Sequence, residues 1–274
     1  MIGESRWVQW ASHLILGTAS ALVLLPLLWV LRTSFVDKVV AYRMPPDLFF
    51  TPTLDNYRAI LLEFDFGTFF LNSLIIALVT TVIALVIGSL AAYAIDRFRT
   101  GGPVVPVAIL ATQMMPPIVL VIPFFLIFKR VGLADTHAGL IITYLTFNLP
   151  YVVWLMMSFF KRVPRELDEA ALIDGAGFFG VFWHIILPAA LPGIGAAGVL
   201  SFVLCWNEFL FALMLSGQET KTLPVAISSL VTQQGTAIGA VCASTVLAIA
   251  PMVIIYFAIR KLLVAGLSLG AVKG

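Results

Sequence analysis

The sequence predicts an all-α polytopic membrane protein with six transmembrane helices, and three observations carry the prediction. Of the 274 residues, 61% are hydrophobic and 11% charged, with a mean hydropathy of +1.06, a poverty of charge unsuited to a soluble domain of this length. The apolar residues gather into six runs, each long enough for the roughly 20 helical residues that cross a hydrocarbon core. Between the fourth and fifth runs lies a polar, small-residue stretch around Glu169 to Ala176, which belongs in water. The chain is therefore read as one transmembrane domain over 1–274, with a helical segment at about 164–186 outside the bilayer and a tail at about 260–274.

The runs fall near 14–31, 69–95, 104–128, 138–160, 187–215 and 238–259. The first follows Arg6, as a signal peptide would, but its length and the lack of a small-residue cleavage site mark it as a retained span. The loop at 32–68 carries Pro45, Pro46, Pro52, Asp55 and Asn56, turn and helix-start residues around a short amphipathic piece expected on the membrane surface. In the third run, Gln113-Met114-Met115-Pro116-Pro117 removes two backbone donors, so a broken helix is expected there, with Pro123 a second irregularity. Such a break can line a substrate path or serve only as a structural kink.

The segment at 164–186 reads as a helix pair. Pro164 suits a first helical position, and Glu166, Asp168 and Glu169 then crowd the positive end of the helix dipole. Gly175 suits a left-handed cap, after which Phe178 and Phe179 lead a second helix. Leu167, Ala170 and Ala171 share a face on which small side chains would let a partner approach; an ordinary helical loop is the alternative.

Net charge is +2, from 16 basic and 14 acidic residues in short clusters, so no basic face for nucleic acid stands out. With the N-terminus inside, nine Lys and Arg fall on the inner side and seven on the outer, and four of those seven are spread along the long first loop. The rule that basic residues gather inside thus places both termini and the 164–186 segment in the cytoplasm. Cys205 and Cys242 lie in apolar runs without metal-ligand spacing, His13, His137 and His184 have no metal-binding neighbour at helical spacing, and no Ser-His-Asp arrangement can be argued, so neither a metal site nor a catalytic residue is expected. A phosphate-binding loop with Lys and Ser or Thr is missing, so any ATP-driven motor has to be another chain.

Polar groups at membrane depth are the candidates for a solute path, because they are costly against lipid. They are Asn72, Gln113, Asn148, Asn207 and Glu208, with Tyr144, Tyr151 and Trp206 as rings. Amides and carboxylates pair with sugar hydroxyls, and rings stack on pyranose faces; each group has the second reading of glue between helices. None of the spans has Lys or Arg at its middle, which suits a neutral solute.

The run Glu169-Ala170-Ala171, Asp174-Gly175-Ala176, Phe182, Ile185, Leu187-Pro188 and Pro192 resembles the EAA motif of the inner-membrane permease subunits of ABC importers, at that family's spacing. Ala189-Ala190-Leu191-Pro192, in place of the pattern of amino-acid importers, points to the carbohydrate branch. The ending from Leu263 to Gly274 resembles the glycine-rich tail of MalG-type permeases, and Asp55-Asn56-Tyr57, Asn72-Ser73 and Trp206-Asn207-Glu208-Phe209 are similar to the same group. The resemblance implies a type I importer permease fold in a bacterial inner membrane, with Glu169, Ala170, Ala171, Asp174 and Gly175 forming a coupling helix. It also implies a heterodimer with a second permease, two ATP-binding cassette subunits that hold ATP and Mg, and a solute-binding protein outside. This chain itself would bind no cofactor and catalyse no reaction. The loop at 216–237 resembles one that reaches into the binding protein, with Gln233, Gln234 and Gly235 as contacts. A secondary transporter and an ABC permease for another solute are the rival readings; six runs without an inverted duplication and a single acid inside a span, Glu208, give ion coupling little basis.

Overall fold

A computed structural model of the chain describes residues 6–232 and 235–271. In chain order its helices are α1 (Arg6–Ser34), α2 (Lys38–Ala41), α3 (Asp55–Leu62), α4 (Phe66–Phe98), α5 (Val104–Gln113), α6 (Pro117–Val131), α7 (His137–Phe160), α8 (Glu166–Ile173) and α9 (Phe178–Val181). A π-helical turn, Phe182–Ile186, leads into α10 (Leu187–Ala189), α11 (Leu191–Trp206), α12 (Leu210–Leu215), α13 (Leu223–Ser229) and α14 (Ile238–Ala271). Between α13 and α14, β1 (Val231–Thr232) pairs antiparallel with β2 (Gly235–Thr236), Val231 opposite Thr236.

Among the described residues, α1, α4, α7 and α14 each contain a stretch long and apolar enough to cross a membrane, and two bent pairs raise the number to as many as six. The first pair is α5 with α6, bent by 88°. The bend falls at the expected Gln113–Pro117 break: Pro116 is extended, and Pro117 opens α6 at a position where a missing N–H does no harm. The second pair is Phe178–Ala189 with α11, bent by 78°. The expected single span at 187–215 is thus corrected to three pieces. Pro188 and Pro192 lack backbone donors four residues apart, so the ladder cannot run through them, and the Ala190 N–H bonds both Ile186 O at 2.9 Å and Leu187 O at 3.2 Å as the chain turns.

The chain divides into two compact units, Met1–Gly67 with Ile227–Ala250, and Thr68–Ala226 with Pro251–Gly274. In the first, the buried Asn56 of α3 donates to Ser34 O at 3.0 Å and Val36 O at 2.8 Å, while the Tyr57 hydroxyl lies 2.8 Å from Ser34 Oγ. Gly239 of α14 admits Asn56 because a Cβ there would come within 2.5 Å of the amide. Arg32 reaches Asp47 O and covers the Trp29 and Phe50 rings. The long first loop is therefore tied down by its own polar residues.

In the second unit α7 is central, packing against α5 and α11. Gly88 lets α4 close on α7, since a Cβ there would meet Val152 Cγ1 at 2.8 Å. The core around it is aliphatic and aromatic, with Ala84, Ala92, Val152, Met156, Phe160, Ile186 and Ala197 buried. α7 starts at Thr136, whose hydroxyl accepts the Gly139 N–H at 3.0 Å, and α6 ends at Gly132 in the left-handed region.

Candidate coupling element and polar clamps

α8 begins at Glu166, two residues after Pro164, so the expected start at the proline is corrected by that much. Its first turn carries Glu166, Asp168 and Glu169, acids placed against the positive end of the dipole. Its end is a Schellman motif: Ala176 N–H bonds Ala171 O at 3.0 Å, Gly175 N–H bonds Leu172 O at 3.1 Å, and Gly175 has φ +85°. Only glycine adopts that conformation without strain, so the turn from α8 into α9 depends on it.

The two faces of α8 differ. Glu166, Leu167, Glu169, Ala170, Ile173 and Asp174 are exposed, followed by exposed Phe178 and Phe179. Asp168 and Ala171 point into the protein. Ala171, expected on the docking face, is 6% exposed and belongs to the core cluster instead. The helical period puts it beside Asp168, on the face that packs against α9 and the π-helical turn and meets Arg97 of α4.

The contact with α4 is ionic and deep. Arg97 Nε lies 2.5 Å from Asp168 Oδ2, with the two side chains 5% and 12% exposed. Arg97 Nη2 donates to Val163 O at 2.8 Å, its Nη1 to Asp96 Oδ2 at 3.3 Å, and Arg165 Nη2 donates to Asp96 O at 3.0 Å. Burial holds the Asp168 carboxyl above its ordinary range even with the Arg97 guanidinium pulling it down. Rings close the same junction: Phe98 stands edge-on to Phe178 at 5.2 Å, and Tyr93 lies 5.2 Å from Phe182.

The other end of α4 holds a second polar cluster. Asn72 Nδ2 donates to Glu219 O at 3.0 Å and Lys221 O at 3.2 Å, and its Oδ1 lies 2.9 Å from His137 Nε2. Ser73 Oγ accepts the Leu223 N–H at 2.7 Å. Asp135, itself at φ +54°, accepts from Gly217 N at 2.7 Å, Thr220 N at 3.1 Å, Glu219 N at 3.3 Å and Thr220 Oγ1 at 2.7 Å. Burial alone would raise the Asp135 carboxyl; the hydrogen bonds from Thr220, Gly217 and Glu219 prevail and hold it below its ordinary value. Sequence reasoning missed Asp135 and Arg97. The signal for Asp135 is faint, an acid directly before the Thr136-His137 start of α7; for Arg97 it is the Asp96-Arg97 pair at the end of a long apolar run.

The remaining path candidates are scattered. Asn148 is buried in α7, donating to Cys205 Sγ at 2.8 Å and Ser201 O at 3.3 Å. Glu208 caps α12, accepting Phe211 N–H at 2.8 Å and Ala212 N–H at 3.0 Å. Trp206 is buried between Phe70 and Phe202. Asn207 bonds its own helix at Val203 O, and Gln113, at the end of α5, donates to Phe147 O of α7 at 2.7 Å. Asn148 thus joins α7 to α11, Glu208 caps α12, Trp206 packs on Phe70 of α4, and Asn72 belongs to the clamp on the 216–223 loop. Gln233 and Gln234 lie outside the described residues; Gly235 opens β2. Residues 260–271 of the expected tail continue α14 as helix, and 272–274 lie outside the described residues.

Residues 84–269 match the family described as the binding-protein-dependent transport system inner membrane component. The chain belongs to that family. This membership makes it an ABC-transporter permease subunit, a multi-pass protein of the inner membrane. The permease is 37% identical to the trehalose transport system permease protein SugB of Mycobacterium tuberculosis over 100% of both chains. It is 34% identical to the trehalose/maltose transport system permease protein MalG of Thermococcus litoralis, over 95% of this chain and 96% of that one. Among solved structures, a bacterial ABC transporter involved in import of the acidic polysaccharide alginate shares the fold, with a TM-score of 0.77 and 23% identity over 95% of this chain and 98% of its own.

Proposed function

We propose that this chain is one of two different permease subunits of a carbohydrate importer. The observation that carries the proposal is end-to-end likeness, at 37% identity, to a permease described as transporting trehalose. In this reading the exposed face of α8, with Glu169, Ala170, Asp174 and the Gly175 turn, docks on an ATP-binding cassette subunit that holds ATP and Mg. Both termini and α8 lie in the cytoplasm, and a solute-binding protein delivers sugar on the far side. This chain catalyses nothing itself; ATP binding closes the ATPase pair and shifts the population between two packings of the permease. The intramembrane groups Asn148, Trp206 and Glu208 are amide, ring and acid, and the absence of a mid-span cation suits a neutral, polyhydroxylated solute.

The test is reconstitution of the complete complex in liposomes with its binding protein and a panel of neutral disaccharides, including trehalose and maltose. ATP-dependent uptake of at least one neutral sugar is expected. Binding of only amino acids, or of only anionic sugars, by the isolated binding protein would overturn the assignment of solute.

A further inference from the structure

α8 is joined by chain to α7 and to α11, the obvious carriers of any motion it undergoes. Its tightest polar contact is with neither. Arg97, near the last turn of α4, is buried, forms an ion pair with Asp168 of α8, and donates hydrogen bonds to Val163 O in the turn before it and to its neighbour Asp96. A guanidinium in a dry site is a planar fork that fixes orientation as well as distance. Removing one member strands the other charge, so the junction holds or fails as a unit. At the opposite end of the same helix, Asn72 and Ser73 grip Glu219, Lys221 and Leu223, in a loop already pinned by Asp135. From Asn72 to Arg97, at about 1.5 Å per residue, α4 spans roughly 38 Å, more than the thickness of the hydrocarbon core.

We propose that α4 is a connecting rod between the two faces of the membrane, with Arg97 the positioning residue that joins it to α8 and Ser73 and Asn72 the residues that join it to the 216–223 loop. Movement of α8 is carried to that loop through one continuous helix, and occupancy at the loop is carried back to α8. No proline interrupts α4, whereas α1, α6, α7 and α14 each contain one, so α4 transmits displacement without a preformed kink. The inference rests on the reading of α8 as the ATPase contact.

The test uses the whole complex with its binding protein. Arg97→Met is expected to leave copurification of the ATPase subunits and basal ATP hydrolysis intact, and to lower the stimulation by loaded binding protein about tenfold; Ser73→Val is expected to lower it about threefold. Because both act on one rod, the double variant should match the worse single variant instead of multiplying the two losses. Arg97→Lys, which keeps charge but not the fork, should retain part of the stimulation, and it replaces Arg97→Met if that variant does not assemble. Normal stimulation in Arg97→Met, or in Arg97→Lys where only that variant assembles, overturns the proposal, as does a double variant whose losses multiply. Ala170→Trp, on the exposed face, separates the two readings. Loss of copurification there with normal Arg97 variants sinks only the rod; retained copurification and coupling in Ala170→Trp sinks the docking face itself.

Discussion

Asp135 shows how much one carboxylate can organise. It sits at φ +54°, an uncommon conformation outside glycine, and its oxygens collect three backbone N–H groups and a hydroxyl from 217–220. Gly217 is required beside it, since a Cβ there would lie 2.2 Å from Asp135 Oδ2. The carboxyl is held below its ordinary value of 3.8, so the folded loop favours the ionised form. The stabilisation is therefore complete above 3.8 and is lost as pH falls through the lower folded value. Hydrogen exchange of the intact complex, corrected for intrinsic rates, should show steady protection of Gly217 and Thr220 amides from neutral pH down to that region. Asp135→Asn should weaken protection at neutral pH as well; unchanged protection in the variant would show that the loop is held by other contacts.

At the scale of the element, α8 is an amphipathic piece whose inner face was hard to assign from composition, because both faces carry acids and alanines. The helical period groups Leu167, Ala170 and Ala171, yet the structure separates Ala170, exposed, from Ala171, buried. The distinction has opposite consequences for substitution. Ala171→Trp forces a ring into a packed core, an overpacking cost of about 1–3 kcal/mol or more, and should lower the thermal midpoint of the permease pair purified without its ATPase subunits. Ala170→Trp adds the same ring to an open surface and should leave the midpoint alone while releasing the ATPase subunits. Equal midpoints for the two variants would mean that α8 is oriented differently.

For the whole molecule, the expected topology places α8 inside and the 216–223 loop outside, on opposite ends of α4. Gln218 is exposed in that loop, and Ile173 on α8 is 86% exposed. In intact spheroplasts a membrane-impermeant maleimide should label Gln218→Cys and not Ile173→Cys, with the pattern reversed in inverted vesicles. The parent chain supplies the background, since its Cys205 is buried and Cys242 half-buried. Labelling of Ile173→Cys from outside would invert the orientation derived from the basic residues.

The sequence by itself determined the class of molecule: length and hydropathy require helices at membrane depth, proline spacing requires the break at Gln113–Pro117, and the acids before Ala170 with Gly175 behind them delimit α8. These are local properties, set by backbone donors, helix dipoles and transfer from water, and each is legible within about ten residues. The tertiary structure alone decided which side of α8 is covered, that Asn72 and Glu208 are committed to hydrogen bonds with Glu219, Lys221, Phe211 and Ala212, and that Arg97 closes on Asp168, far from it in the chain. A buried charge declares its need for a partner but not where that partner lies in the chain. Packing chooses it, by bringing the end of α4 to α8 so that the two ions meet away from water.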